Sequence, residues 1–181
     1  RFNSETEIKA MYSADEPVAL LLIKGVDPDS ISLKSPMDVF RKSLKENVKL
    51  GTYSKTMDNL GYPEAERGSS GESLWYIQQA AEGLKYCVYT QSEQSNNETL
   101  LAITITSTID ADDILSLAKQ RCASALQKGY EALMTKHSQW WRDFWLKSSV
   151  IVPDTAIQKQ YNIVQYFYGA ASRSDAPPMP L

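Results

Sequence analysis

One histidine and two cysteines are all that 181 residues offer towards a zinc-type ligand set. Neither a disulfide framework nor a structural zinc site is expected from so few, although a single Cys87–Cys122 bridge stays open. Any Ser-His-Asp or Cys-His arrangement would have to use His137. Blocks of basic residues are missing too. With a net charge of -3, the chain has no electrostatic footprint for nucleic acid or for an anionic membrane, and neither is expected as a partner. The longest apolar run, "VALLLI" from Val18 to Ile23, falls far short of the ~20 residues that span a bilayer and reads as a buried strand. No initiator methionine and no signal-like stretch stand at Arg1, so export is left open. The other end breaks off in "SRSDAPPMPL" just after an apparent helix, and the chain is expected to be a fragment of a larger protein.

What is present divides by period. "ETEIKAMYS" and "PVALLLIKG" read as strands. Ser35, followed by Pro36 and by Val39, Phe40 and Leu44 at helical spacing, predicts a short helix. The polar, glycine-containing stretch from Gly51 to Ser73 reads as a long irregular loop. Three strands follow, "SLWYIQQA", "GLKYCVYT" and "TLLAITITS", the last with Leu101, Ile103 and Ile105 predicted inward. Their connections, "AEG" and "SEQSNNE", predict an antiparallel meander. At Asp110 the spacing turns helical, with Asp112 and Asp113 at a helix start and a break near Gly129. A last helix is capped by Asp154, and Ile157, Tyr161, Val164 and Tyr168 define its predicted face. Strands first and helices after predict an α+β fold with a boundary near Asp110.

The second of those helices concentrates the aromatic residues. At ~100° per residue, Tyr130, Leu133, Met134, His137, Trp140, Trp141, Phe144 and Trp145 fall within an arc of about 140°. Exposed, three tryptophans would be an aggregation hazard, so the stripe reads as a wall between two domains and His137 as a packed or hydrogen-bonded core residue.

Other chemistry is sparse. "GSSGES" (Gly68–Ser73) resembles a phosphate cradle but has no lysine and leads into a strand, so it reads as flexible loop. Glu64, Glu66 and Glu72 could supply a pair of carboxylates, and read better as solvated loop residues. Asn97 opens a sequon, Asn-Glu-Thr, that reads as a chance match. No catalytic residue, metal or cofactor is expected.

The order "GYEALMTKHSQWWRDFWLKSSVIVPD" followed by "YNIVQYFYGAASRSDAPPMPL" resembles the linker and first barrel helix of glycoside hydrolases built from a β super-sandwich and an (α/α)6 barrel. It is most similar to the inverting alpha-L-fucosidases and alpha-L-galactosidases of glycoside hydrolase family ninety-five. The resemblance rests on Gly129–Leu133, His137, Trp141, Trp145, Pro153, Tyr168 and the turn Ala171–Arg173, over about seventy residues. It implies a β-sandwich portion (1–109), linker helices (110–148) and the start of the (α/α)6 barrel domain (149–181) of a fucosidase-like inverting hydrolase, periplasmic or extracellular, whose partners are a glycan and the rest of the barrel. Its catalytic residues would lie beyond Leu181, leaving this segment inactive alone. Related sugar phosphorylases share the architecture, and a noncatalytic carbohydrate-binding or structural sandwich, or an interaction domain unrelated to sugars, stays open. On the barrel reading, Arg173 sits at the active-site mouth and is the one candidate substrate-binding residue, with helix capping as the alternative.

Overall fold

The computed structural model describes residues 6–45 and 61–172. Arg173, the proline-rich tail and the first part of the expected loop lie outside these residues. The strands are β1 (Glu7–Tyr12), β2 (Val18–Lys24), β3 (Glu66–Ser70), β4 (Ser73–Gln79), β5 (Lys85–Ser95) and β6 (Glu98–Ser107). They form one sheet in the order β1-β2-β6-β5-β4-β3, every neighbouring pair antiparallel. The helices are α1 (Pro36–Lys45), α2 (Ile114–Lys128), α3 (Tyr130–Lys147) and α4 (Thr155–Ala171). The fold class is therefore α+β, a sheet followed by helices. Among the described residues no helix is long and apolar enough to cross a membrane.

Register decides which side chains share a face. Met11 pairs with Leu20, Leu20 with Ala102, Val18 and Tyr89 with Thr104, and Tyr89 with Trp75. This face is covered by α2, whose buried positions Ile114, Ala118, Cys122, Ala125 and Leu126 recur at helical spacing. Alanine and cysteine at three of them keep the helix close to the strands. The Asp113 carboxylate caps α2 by accepting from the Ser116 N–H at 2.9 Å and its hydroxyl at 2.7 Å. The Ser116 hydrogen bonds, backbone first, hold that carboxyl below the usual 3.8. Gly129, at φ 78°, ends α2 with its N–H on the Ala125 carbonyl, the left-handed geometry that favours glycine at a helix end. The predicted break lies there.

Three expectations need correction. Leu101, Ile103 and Ile105 do not face α2; Leu100, Ala102, Thr104 and Thr106 do, and of the predicted three only Leu101 is buried, on the opposite face. Ile105 is 61% exposed on the opposite face. The inward threonines are satisfied: Thr104 Oγ1 donates to the Pro17 carbonyl and Thr106 Oγ1 to the Ile114 carbonyl, each at 2.7 Å, which removes the cost of burying them. Second, the expected loop contains β3, and "GSSGES" is its end plus the two-residue turn Gly71–Glu72, with Gly71 at φ 54°. Gly68 is needed there because the Trp75 ring lies across it. A Cβ would come within 2.1 Å of that ring. Third, the β5–β6 connection is only Asn96–Asn97, both at positive φ, as a tight hairpin turn requires.

Cys87 and Cys122 are free thiols with no exposed surface, one on β5 and one on α2. Burial pushes Cys87 from 9.0 up to about 11 and Cys122 up to about 12. Burial also raises Tyr76 and Tyr86, whose rings meet edge to face at 6.2 Å. Unfolded thiols ionise near 9.0 and the folded ones do not, so this contribution to stability is complete below 9.0 and is lost as pH rises through 11 and 12. The melting temperature is expected to fall across that window, and less steeply in Cys122→Ala. A flat profile from neutral pH upward would contradict the burial of both thiols.

Candidate functional site

The aromatic stripe of α3 splits into two parts. Tyr130 and Leu133 are buried and, with Met134, join the cluster between α2 and the sheet. One turn further on the helix leaves the strands. His137, Trp140, Trp141, Phe144 and Trp145 are only half-buried, and they pack on one another and on α4. Trp140 stacks on Phe144 at 5.5 Å, and Trp141 stacks on Tyr166 of α4 at 5.0 Å. Gly169 makes this approach possible, since a Cβ there would lie 2.8 Å from the Phe144 ring and 3.0 Å from Trp141. The stripe is thus a joint between the sheet layer and the last helix, with Trp141 and Phe144 against α4. His137 is neither a core residue of the sheet nor hydrogen-bonded at Nδ1, which is buried without a partner.

The predicted face of α4 is also corrected. Its least exposed positions are Gln158, Tyr161, Gln165, Gly169 and Ala171; Tyr161 of the predicted face is among them, while Ile157, Val164, Phe167 and Tyr168 are exposed. Asp154 caps the helix as expected, accepting from the Ala156 and Ile157 N–H groups at 2.8 and 3.1 Å.

Where the β1–β2 turn, α2, α3 and the end of α4 converge there is a cleft of about 690 Å3. The turn is held by a lattice of bonds. Ser13 Oγ accepts from the Asp15 and Glu16 N–H groups at 3.4 and 3.3 Å, the Ser13 N–H donates to the Val18 carbonyl at 2.9 Å, and Glu16 pairs with Lys128 at 2.7 Å. On the far wall Asp110 accepts from the Ser107 N–H and hydroxyl at 2.7 and 2.8 Å and faces Arg121 at 3.5 Å. Partial burial works to raise the Asp110 pKa; the Ser107 bonds and Arg121 outweigh it and hold the carboxyl below the usual 3.8. Asp15, His137, Trp141 and Tyr166 also line it. Sequence reasoning singled out only His137 and Trp141 of these, and no local signal connects Asp15 to residues more than a hundred positions away.

The other sequence-derived candidates are dispersed. Glu64, Glu66 and Glu72 are exposed; Glu64 pairs with Arg41, and Glu66 and Glu72 lie at opposite ends of the β3 hairpin. Asp113 caps α2, Asp112 is exposed, and Asn97 occupies an exposed turn. Arg173 lies outside the described residues, two positions beyond the end of α4. Among the described residues no group of three or more His, Cys, Asp or Glu side chains is placed to hold a metal ion.

No known family profile matches the chain. Among curated proteins it is similar to a maltose phosphorylase of Bacillus subtilis (strain 168), at 27% identity over 96 residues. The matched stretch is 50% of this chain and 13% of that protein. The likeness thus relates half of the chain, distantly, to a small part of a much longer sugar-processing enzyme.

Proposed function

We propose that the chain is the sheet-and-joint segment of a carbohydrate-processing enzyme whose helical catalytic domain starts at α4. The observation that carries this reading is the similarity to a maltose phosphorylase. Two features of the fold agree with it: the succession of sheet, joint helices and a final helix, and the apolar face that α4 leaves uncovered among the described residues. On this reading that face packs against further helices of a longer polypeptide, which also supplies the catalytic carboxyl groups. This segment alone has no turnover.

The similarity favours phosphorolysis of a disaccharide such as maltose, and the family resemblance adds inversion at the anomeric carbon. A carboxylic acid protonates the leaving glycosidic oxygen, the anomeric C–O bond breaks, and a phosphate oxygen bonds to that carbon from the opposite face. The departing sugar keeps the proton as its hydroxyl. A second reading is favoured by the Gly129–Leu133, His137, Trp141 and Trp145 order: a fucosidase-like inverting hydrolase, in which water replaces phosphate. Arg173 would serve either reaction by positioning the loop or the substrate at the barrel mouth.

The longer protein, incubated with maltose and inorganic phosphate, is expected to form glucose 1-phosphate and glucose only while phosphate is present. Phosphate-independent release of fucose from an alpha-L-fucoside would instead select the hydrolase. No turnover of either substrate, or turnover by the isolated segment, would overturn the proposal.

A further inference from the structure

We infer that the cleft under the β1–β2 turn is a noncatalytic sugar site, taking a monosaccharide or the end of a short glycan. The place comes from the geometry; the ligand class rests on the reading of the chain as part of a sugar-processing enzyme. A volume of about 690 Å3 lies within the roughly 300–1,000 Å3 usual for small-molecule sites.

Several polar groups of the cleft are already committed to the fold. Glu16 is held by Lys128, and Asp110 by Ser107 and Arg121. The Asp15 carboxylate and the Tyr166 ring are not. The carboxylate has no ion pair among the described residues, yet its backbone is fixed by Ser13. Tyr166 has one ring face stacked on Trp141 and is still 50% exposed. His137 lines the cleft beside them, with its unpartnered Nδ1 buried away from it. An acceptor beside a braced aromatic ring suits a pyranose, which has an apolar C–H face and a rim of hydroxyls.

Charge narrows the ligand further. Asp15, Glu16 and Asp110 line the cleft with Arg121 as the one cation among its lining residues, so a phosphate or a nucleotide is disfavoured and a neutral polyol is not. Trp141 contributes by holding Tyr166, since its own faces are taken by Tyr166 and Trp145.

The test is a titration of the chain with maltose and with glucose, followed by tryptophan fluorescence and by amide chemical shifts. Saturable changes in the Ser13–Pro17 turn and around His137 are expected. Asp15→Asn should weaken them at least about tenfold, from loss of a charge-assisted hydrogen bond. Glu72→Gln, at the far hairpin, should leave them unchanged. Asp15 is exposed, so its replacement leaves the fold intact and keeps the test decisive. No saturable response, or binding unchanged in Asp15→Asn, would overturn the site. Because the turnover assay uses the longer protein and a different readout, absence of turnover sinks the enzyme reading without touching this titration, and the converse holds.

Discussion

Leu133→Ala is expected to destabilise the chain by about 2–5 kcal/mol, the range for truncating a buried leucine. Leu133 has no exposed surface and sits where α3 meets α2 and the sheet. Its removal leaves a cavity at the end where, with Tyr130 and Met134, it anchors the ring-bearing helix to the core. Thr135→Ala, on the exposed side of the same helix, provides the contrast and should change stability by less than about 0.5 kcal/mol. Chemical denaturation of the two variants measures the difference. Equal effects would mean that α3 is not anchored through Leu133.

The second large effect is expected at Gly169. Two terms oppose each other there. Replacing glycine by alanine inside a helix gains about 1 kcal/mol, while crowding a packed contact costs about 1–3 kcal/mol. With a Cβ already 2.8 Å from the Phe144 ring and 3.0 Å from Trp141, alanine is expected to come out near neutral. Valine adds two further carbons and loses most of the propensity gain, so Gly169→Val should drive α4 off the stripe. The near-ultraviolet circular dichroism of the stacked tryptophans should collapse, with a red-shifted fluorescence, while the sheet and α2 stay folded. Unchanged spectra in the valine variant would show that α4 does not pack through Gly169.

Much of this architecture is legible in the sequence because its punctuation is chemical. Asp113, Gly129 and Asp154 mark helix ends through hydrogen bonds and a left-handed backbone that few other residues supply as well. The alternation in "SLWYIQQ" sorts Trp75 and Ile77 from Tyr76 and Gln78 correctly. Strand β3 is not legible, since "ERGSS" has no apolar residue to reveal a period and forms by pairing with β4 beneath the Trp75 ring. The facing of β6 is misread for a related reason: Thr104 and Thr106 look like outward residues until their hydroxyls find carbonyls 87 and 8 residues away. In α4 large apolar side chains surround the helix, so no phase stands out, and the glycine that fits against Phe144 and Trp141 decides the packed side.

The candidate site was less legible than the fold. The stripe on α3 announces a buried surface, yet periodicity cannot say whether a sheet or a helix covers it. The structure divides it between the two. The cleft beside it depends on the chance adjacency of Asp15, His137 and Tyr166, which only the fold brings together.

Hydrogen exchange along α3 tests the central claim most directly, that this helix is fastened to the sheet at one end and to α4 by its rings at the other. The account predicts that amides around Tyr130–Met134 exchange as slowly as those of α2, and that protection declines through the Trp140–Trp145 turn and is lowest in α4. Uniformly fast exchange throughout α3, or an α4 better protected than the Leu133 region, would contradict it.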